Sequence, residues 1–130
     1  MAVNKEVGVL IADDETAMRD LLGSILRSYG YTQIEFAADG SRALDVLGKD
    51  DSAVELAFLD ISMPELSGID VMMRIQAMRP DCFCVIVSAH SDMDSVLAAL
   101  GAGARGFVVK PFNANKIAEV LRKYEREMAH

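Results

Sequence analysis

Apolar residues follow two rhythms along this chain. Val7–Ala12 and Phe83–Val87 are unbroken apolar runs, and Leu56-Ala57-Phe58-Leu59 is another that stops abruptly at Asp60. Runs of this kind, without polar alternation, read as strands covered on both faces, the habit of parallel sheets. Gln33–Ala37 and Gly106–Val109 complete the set of expected strands. Between them apolar residues recur every third or fourth position, the spacing of helices with one buried face. Met18, Leu21, Leu22, Ile25 and Leu26 make the first stripe, closed by Gly30, and Asp39-Gly40 opens a short second helix through Ala43, Leu44 and Leu47. Ser67-Gly68-Ile69-Asp70 has the form of a capping box leading into a third helix, with Met72, Met73 and Ile75 as core filler and Arg79-Pro80 as its stop. A fourth helix spans Asp92–Leu100 and closes at Gly101; the last starts at an Asn113 cap and carries Ile117, Val120, Leu121 and Tyr124.

Strands alternating with helices through short loops call for an α/β fold, a parallel sheet with right-handed crossovers and helices on both faces. At 130 residues the chain is long enough to bury a continuous core as one domain, 1–130, without disulfides or a structural metal. Its 52% hydrophobic content with only 6% aromatics suits an aliphatic interior. Charge narrows the partners: 13 basic against 20 acidic residues leave a net −7 and no basic stripe. Nucleic acid and anionic membrane surfaces are therefore disfavoured, and proteins are the expected partners. The opening residues lack the pattern of a signal peptide and Val7–Ala12 is too short to span a bilayer, so a cytoplasmic location is expected. Cys82 and Cys84, two apart in a strand-like run, should share one sheet face as small buried hydrophobes, a poor arrangement for a disulfide.

Candidate chemistry collects where the strands end. Open α/β sheets bind ligands beyond the carboxyl ends of their strands, and there the chain sets Asp13-Asp14 after the first strand, Asp60 at the third, Ser88 at the fourth and Lys110 after the fifth. Carboxylates crowded in one cleft repel and raise one another's pKa unless a cation neutralises them. Mg²⁺ suits such a set, since it prefers a few carboxylate oxygens, a carbonyl and retained waters. Each residue alone has a plainer reading: Asp13-Asp14-Glu15 as charge at a helix amino terminus, Ser88 as a strand-end hydroxyl, Lys110 as a surface lysine. Their joint position at four of the five strand ends favours a shared site. One motif is a decoy. Gly101-Ala102-Gly103-Ala104-Arg105-Gly106 matches the dinucleotide fingerprint letter for letter, but a helix precedes it and a strand follows, the reverse of what pyrophosphate binding needs.

Ile11-Ala12-Asp13-Asp14-Glu15, Leu59-Asp60-Ile61-Ser62-Met63-Pro64, Ser67-Gly68, Val87-Ser88-Ala89 and Gly106-Phe107-Val108-Val109-Lys110-Pro111-Phe112 together resemble the receiver domain of two-component response regulators, most of all the stand-alone chemotaxis type. The resemblance covers essentially the whole chain. It implies a flavodoxin-like (βα)5 sandwich with strand order 2-1-3-4-5. It also implies that Asp60 accepts a phosphoryl group from a sensor histidine kinase, a histidine phosphotransfer protein or a small donor such as acetyl phosphate. Asp14, Asp60 and the Ser62 main-chain carbonyl would bind Mg²⁺, with Asp13 acting largely through water. Lys110, the Ser88 hydroxyl and the Ala89 amide would hold the phosphoryl oxygens. Ser88 and Phe107 would form the switch, repacking the face of the fourth helix, fifth strand and fifth helix; Phe107 stands where the family often has Tyr. Ser62 and His90 would tune dephosphorylation, and the Lys110-Pro111 peptide would be cis. The signal would pass to a downstream protein or to an output domain outside this chain, and the resemblance leaves room for a homodimer.

Other functions fit the residues less well. A phosphatase of the haloacid dehalogenase type also uses a strand-end aspartate with Mg²⁺, but is similar through a second aspartate two residues on, where this chain has Ser62. A flavin-binding flavodoxin-like protein needs a hydroxyl- and glycine-rich phosphate loop after the first strand, and Asp13-Asp14-Glu15 would repel that phosphate. A receiver that only binds proteins, without phosphorylation, is the remaining alternative.

Overall fold

The apolar runs become the strands of one parallel sheet. In a computed structural model, which describes residues 5–49, 52–89 and 93–128, the order is β1 (Gly8–Ala12), α1 (Thr16–Ser28), β2 (Ile34–Ala37), α2 (Gly40–Leu47), β3 (Val54–Asp60), α3 (Gly68–Met78), β4 (Phe83–Ser88), α4 (Met93–Gly101), β5 (Gly106–Val109) and α5 (Ala114–Met128). The strands pair in the order β2-β1-β3-β4-β5, every pair parallel. This is the 2-1-3-4-5 order implied by the resemblance, a flavodoxin-like fold.

Successive strand residues point to opposite faces, and both faces are covered. Val9, Ile11, Phe58 and Val85 pack with Leu22 and Leu26 of α1 and Ile117, Leu121 and Tyr124 of α5. Leu10, Ala12, Leu59 and Ile86 pack on the other side with Ala43 and Leu47 of α2, Val71, Met72 and Ile75 of α3 and Ala99 of α4. Cys82 and Cys84 lie buried together in this second cluster, as free thiols on one face. No helix among the described residues is long and apolar enough to cross a membrane.

Local signals acted where expected. Asp39 caps α2 by accepting from the Arg42 N–H at 2.8 Å, Ser67 and Asp70 form a reciprocal capping box on α3, and Asn113 Oδ1 accepts from the Lys116 N–H at 3.0 Å. The differences are instructive. β3 begins at Val54, two residues before the apolar run, because the ladder pairs Gly8 with Val54 and lets the intervening Glu55 face solvent. Met72 is core filler but Met73 is 56% exposed, since one helical step turns it away from the sheet. Leu21 likewise faces solvent, beside the buried Leu22. Gly101 is the last helical residue of α4, and the left-handed turn that follows falls at Gly103, with φ 111°. The decoy motif thus runs from helix to strand. Asp92, expected to open α4, lies outside the described residues.

Candidate functional site

A parallel sheet brings all its carboxyl ends to one edge, and the ladder here continues one step past the strands. The Asp13 N–H donates to the Ala37 carbonyl at 3.0 Å, the Ile61 N–H to the Val87 carbonyl at 2.9 Å and the Lys110 N–H to the Ser88 carbonyl at 2.8 Å. The main chain that carries the site residues is therefore as fixed as the sheet itself. Gly68, first residue of α3, closes tightly over the end of β3: a Cβ there would collide with the Asp60 carbonyl oxygen. The Lys110-Pro111 peptide is cis.

The side chains converge across four strands. Lys110, following β5, reaches over the edge so that its Nζ lies 2.9 Å from Asp13 Oδ2, beyond β1, and 3.3 Å from Asp60 Oδ2, at the end of β3. A third carboxylate, Glu15, offers Oε1 at 3.6 Å. Asp13 and Asp60 are each only 4% exposed. Their second oxygens are engaged too: Asp13 Oδ1 accepts from the Glu15 N–H at 2.9 Å, and Asp60 Oδ1 from the Ser62 N–H at 3.3 Å. Arg19 of α1 fastens the loop from outside, with Nη1 donating to the Asp13 carbonyl at 2.5 Å and Nη2 to Thr16 Oγ1 at 3.0 Å.

Electrostatics follow from this crowding. Burial, reinforced by the neighbouring Asp13 charge, pushes the Asp60 carboxyl above the usual carboxylate range, and Lys110 and the Ser62 N–H offset only part of the rise. Burial acts to lower the Lys110 ammonium, but its hydrogen bond to Asp13 and the Asp60 charge prevail, so Lys110 holds its proton more tightly than a free lysine.

Of the residues singled out in the sequence, Asp13, Asp60 and Lys110 are in direct contact. Asp14 lies exposed beside them, and one carboxylate oxygen each from Asp13, Asp14 and Glu15 fall within 4.8 Å of one another. Ser88 is buried at the end of β4, Ala89 and Ser62 are exposed at the same edge, and His90 lies outside the described residues. Phe107 sits further down β5, half-buried, paired with Ile86 and packed on the cluster shared with α3 and α4 rather than against the acidic group. Sequence reasoning passed over three contributors. In the sequence Glu15 looks like helix-end charge and Gly68 like part of a cap, and Arg19 carries no signal beyond its spacing of one helical turn from Glu15.

The donor set suits a hard divalent cation. Carboxylate oxygens dominate, no soft ligand intrudes among the described residues, and Asp13 and Asp60 both lie against one ammonium, the sign of a place where positive charge is needed.

Comparison with known proteins agrees with this geometry. The family model described as response regulator receiver domain matches residues 9–122. Chemotaxis protein CheY of Thermotoga maritima is 33% identical over 118 residues, covering 91% of this chain and 97% of that protein. A receiver domain protein of Methanospirillum hungatei superposes with a TM-score of 0.84 at 27% identity, over 94% of this chain and 95% of that one. The CheY chain in a CheX-CheY-BeF3-Mg²⁺ complex from Borrelia burgdorferi superposes with a TM-score of 0.82 at 30% identity, over 93% and 88%.

Proposed function

The chain belongs to the response regulator receiver domain family, the phosphoacceptor relays of two-component signalling, and from that premise we propose that Asp60 is its phosphoacceptor. The observation that carries the assignment is the buried Asp60 carboxylate at the end of β3, tied through one lysine to Asp13. An Asp60 carboxylate oxygen attacks the phosphorus of a phosphohistidine on a sensor kinase or phosphotransfer protein. The new P–O bond forms as the P–N bond breaks, the bonding pair stays on the imidazole nitrogen, and that nitrogen takes up a proton. The product is an aspartyl acyl phosphate.

Positioning and charge do the catalytic work in such a transfer. Lys110 is already aimed at Asp60 and would pass one of its N–H donors to a phosphoryl oxygen; the Ser88 hydroxyl and the Ala89 amide, on the same edge, would take the others. Asp14, Asp60 and the Ser62 carbonyl would hold Mg²⁺, with Asp13 acting through water. When bound, the ion supplies the positive charge that offsets the carboxylates and the incoming phosphoryl oxygens. The chain thereby carries out its own phosphorylation and its slow dephosphorylation, whose rate Ser62 and His90 would tune.

Output would follow from repacking. A phosphoryl group drawing Ser88 inward frees space beside β4, into which the half-buried Phe107 can turn. Met93, Leu97 and Leu100 of α4 and Val109 of β5 are exposed large apolar residues, suited to a downstream protein that recognises the altered face. CheX is the partner named for the Borrelia relative; here a protein of that general kind, recognising the apolar α4-β5-α5 face, is proposed.

The test is intact mass after incubation with acetyl phosphate and Mg²⁺. Wild type should gain about 80 Da, labile to hydroxylamine, and Asp60→Asn should gain nothing. A modified Asp60→Asn would remove Asp60 from the role.

A further inference from the structure

Glu15 has no task in the transfer just described, yet it reaches the residue on which the transfer depends. An ammonium has three N–H donors, and Lys110 Nζ faces three carboxylates: Asp13 at 2.9 Å, Asp60 at 3.3 Å and Glu15 at 3.6 Å. The first two are buried, whereas the Glu15 side chain is 64% exposed. Glu15 therefore holds the ammonium from the solvent side while its main chain is fixed as the amino-terminal cap of α1. Its N–H donates to Asp13 Oδ1 at 2.9 Å, and its carbonyl accepts from the Met18 and Arg19 N–H groups at 3.1 Å each. The backbone is held by hydrogen bonds and the carboxylate is on an exposed arm.

We propose that Glu15 is a positioning residue that tethers Lys110 in the resting cleft and holds back its engagement with the phosphoryl group. The proposal rests on the reading of Asp60 and Lys110 above. As Asp60 takes the phosphoryl group, Lys110 must turn a donor towards a phosphoryl oxygen. Asp13 would turn to the cation when one is bound, but Glu15, outermost of the three, keeps its hold on the ammonium, and that hold must be broken or shared before the lysine can complete its move. A tether depends on reach as well as charge. Glu15→Gln keeps the reach and removes the charge; Glu15→Asp keeps the charge and shortens the reach by one methylene, so both should release the lysine.

Two measurements on the full chain test this. The first is the side-chain NMR signal of Lys110 Nζ and Cε in Mg²⁺-free protein, which should move in both variants while the signals of the distant Lys5 and Lys49 stay in place. The second is phosphorylation by acetyl phosphate at saturating Mg²⁺: the maximal rate constant should rise about two- to fivefold in both variants, the range an exposed ion pair supports, with the half-saturating donor concentration unchanged. An unmoved Lys110 signal in Glu15→Gln overturns the tether. So does a Glu15→Asp that matches wild type while Glu15→Gln merely lowers the half-saturating concentration, which would make Glu15 a rim charge acting on the donor. If wild type takes up no phosphoryl group yet the Lys110 signal moves in both variants, the tether stands and the acceptor role of Asp60 falls.

Discussion

Deleting the ammonium of Lys110 should unbalance the whole site. Lys110→Met keeps an unbranched apolar stem and leaves Asp13 and Asp60 facing each other without a counter-ion. The side chains are 12%, 6% and 5% exposed, so little solvent screens them. At an effective dielectric of about 20, contacts of 2.9 and 3.3 Å are worth about 5–6 kcal/mol each before desolvation is charged against them. Dehydration of the ammonium removes much of that sum. Taking one partner from a buried pair nevertheless costs about 3–5 kcal/mol, because the remaining charge stays buried, and the open side of this cleft lowers the expectation to about 2–4 kcal/mol. That is a large share of the roughly 5–15 kcal/mol that stabilises an ordinary domain. Urea unfolding followed by circular dichroism, at neutral pH with the metal chelated, measures the loss. In an Asp60→Asn background the same Lys110→Met change should cost only about 1 kcal/mol, since one of the two buried charges is gone. Equal losses in both backgrounds, or a wild-type loss below about 1 kcal/mol, would refute a lysine that neutralises two buried carboxylates at once.

Acidity gives a signed companion to that experiment. Because the folded Asp60 carboxyl titrates above its unfolded value, the stability tied to its proton is fully present below the ordinary aspartate pKa and is lost as pH rises through the folded value. Metal-free Asp60→Asn should therefore gain stability relative to wild type as pH climbs through that window, and a pH-independent difference in urea midpoints would contradict it. Gly68→Ala, whose methyl must push on the Asp60 carbonyl, should cost about 1–3 kcal/mol and slow acetyl phosphate uptake, read by urea midpoint and intact mass. Tyr31, fully buried, donates its hydroxyl to Glu125 Oε2 at 2.6 Å and so locks the end of α5; Tyr31→Phe should cost about 1–2 kcal/mol in urea unfolding, and much less when Glu125 is already Gln.

Much of this protein is written in local pattern. Unbroken apolar runs can be covered only on both faces, so β1, β3 and β4 implied a parallel sheet and helices on either side before any contact was known. Caps at Asp39, Ser67 and Asn113 marked helix starts because a side-chain acceptor three residues ahead of a free N–H is a local matter. Asp13, Asp60 and Lys110 were legible as a site because parallel strands deliver their ends to one edge. Tertiary structure decided the rest. Val54 joined β3 through its pairing with β1, which no window around Glu55 reveals, and Met73 and Leu21 turned to solvent because helix orientation is set by the sheet beneath. The sharing of Lys110 among three carboxylates, Glu15 included, and the fit of Gly68 over the Asp60 carbonyl arise between segments far apart in the chain. Spacing along a sequence records which residues can meet, but the distances that govern charge and close packing exist only once the strands have paired.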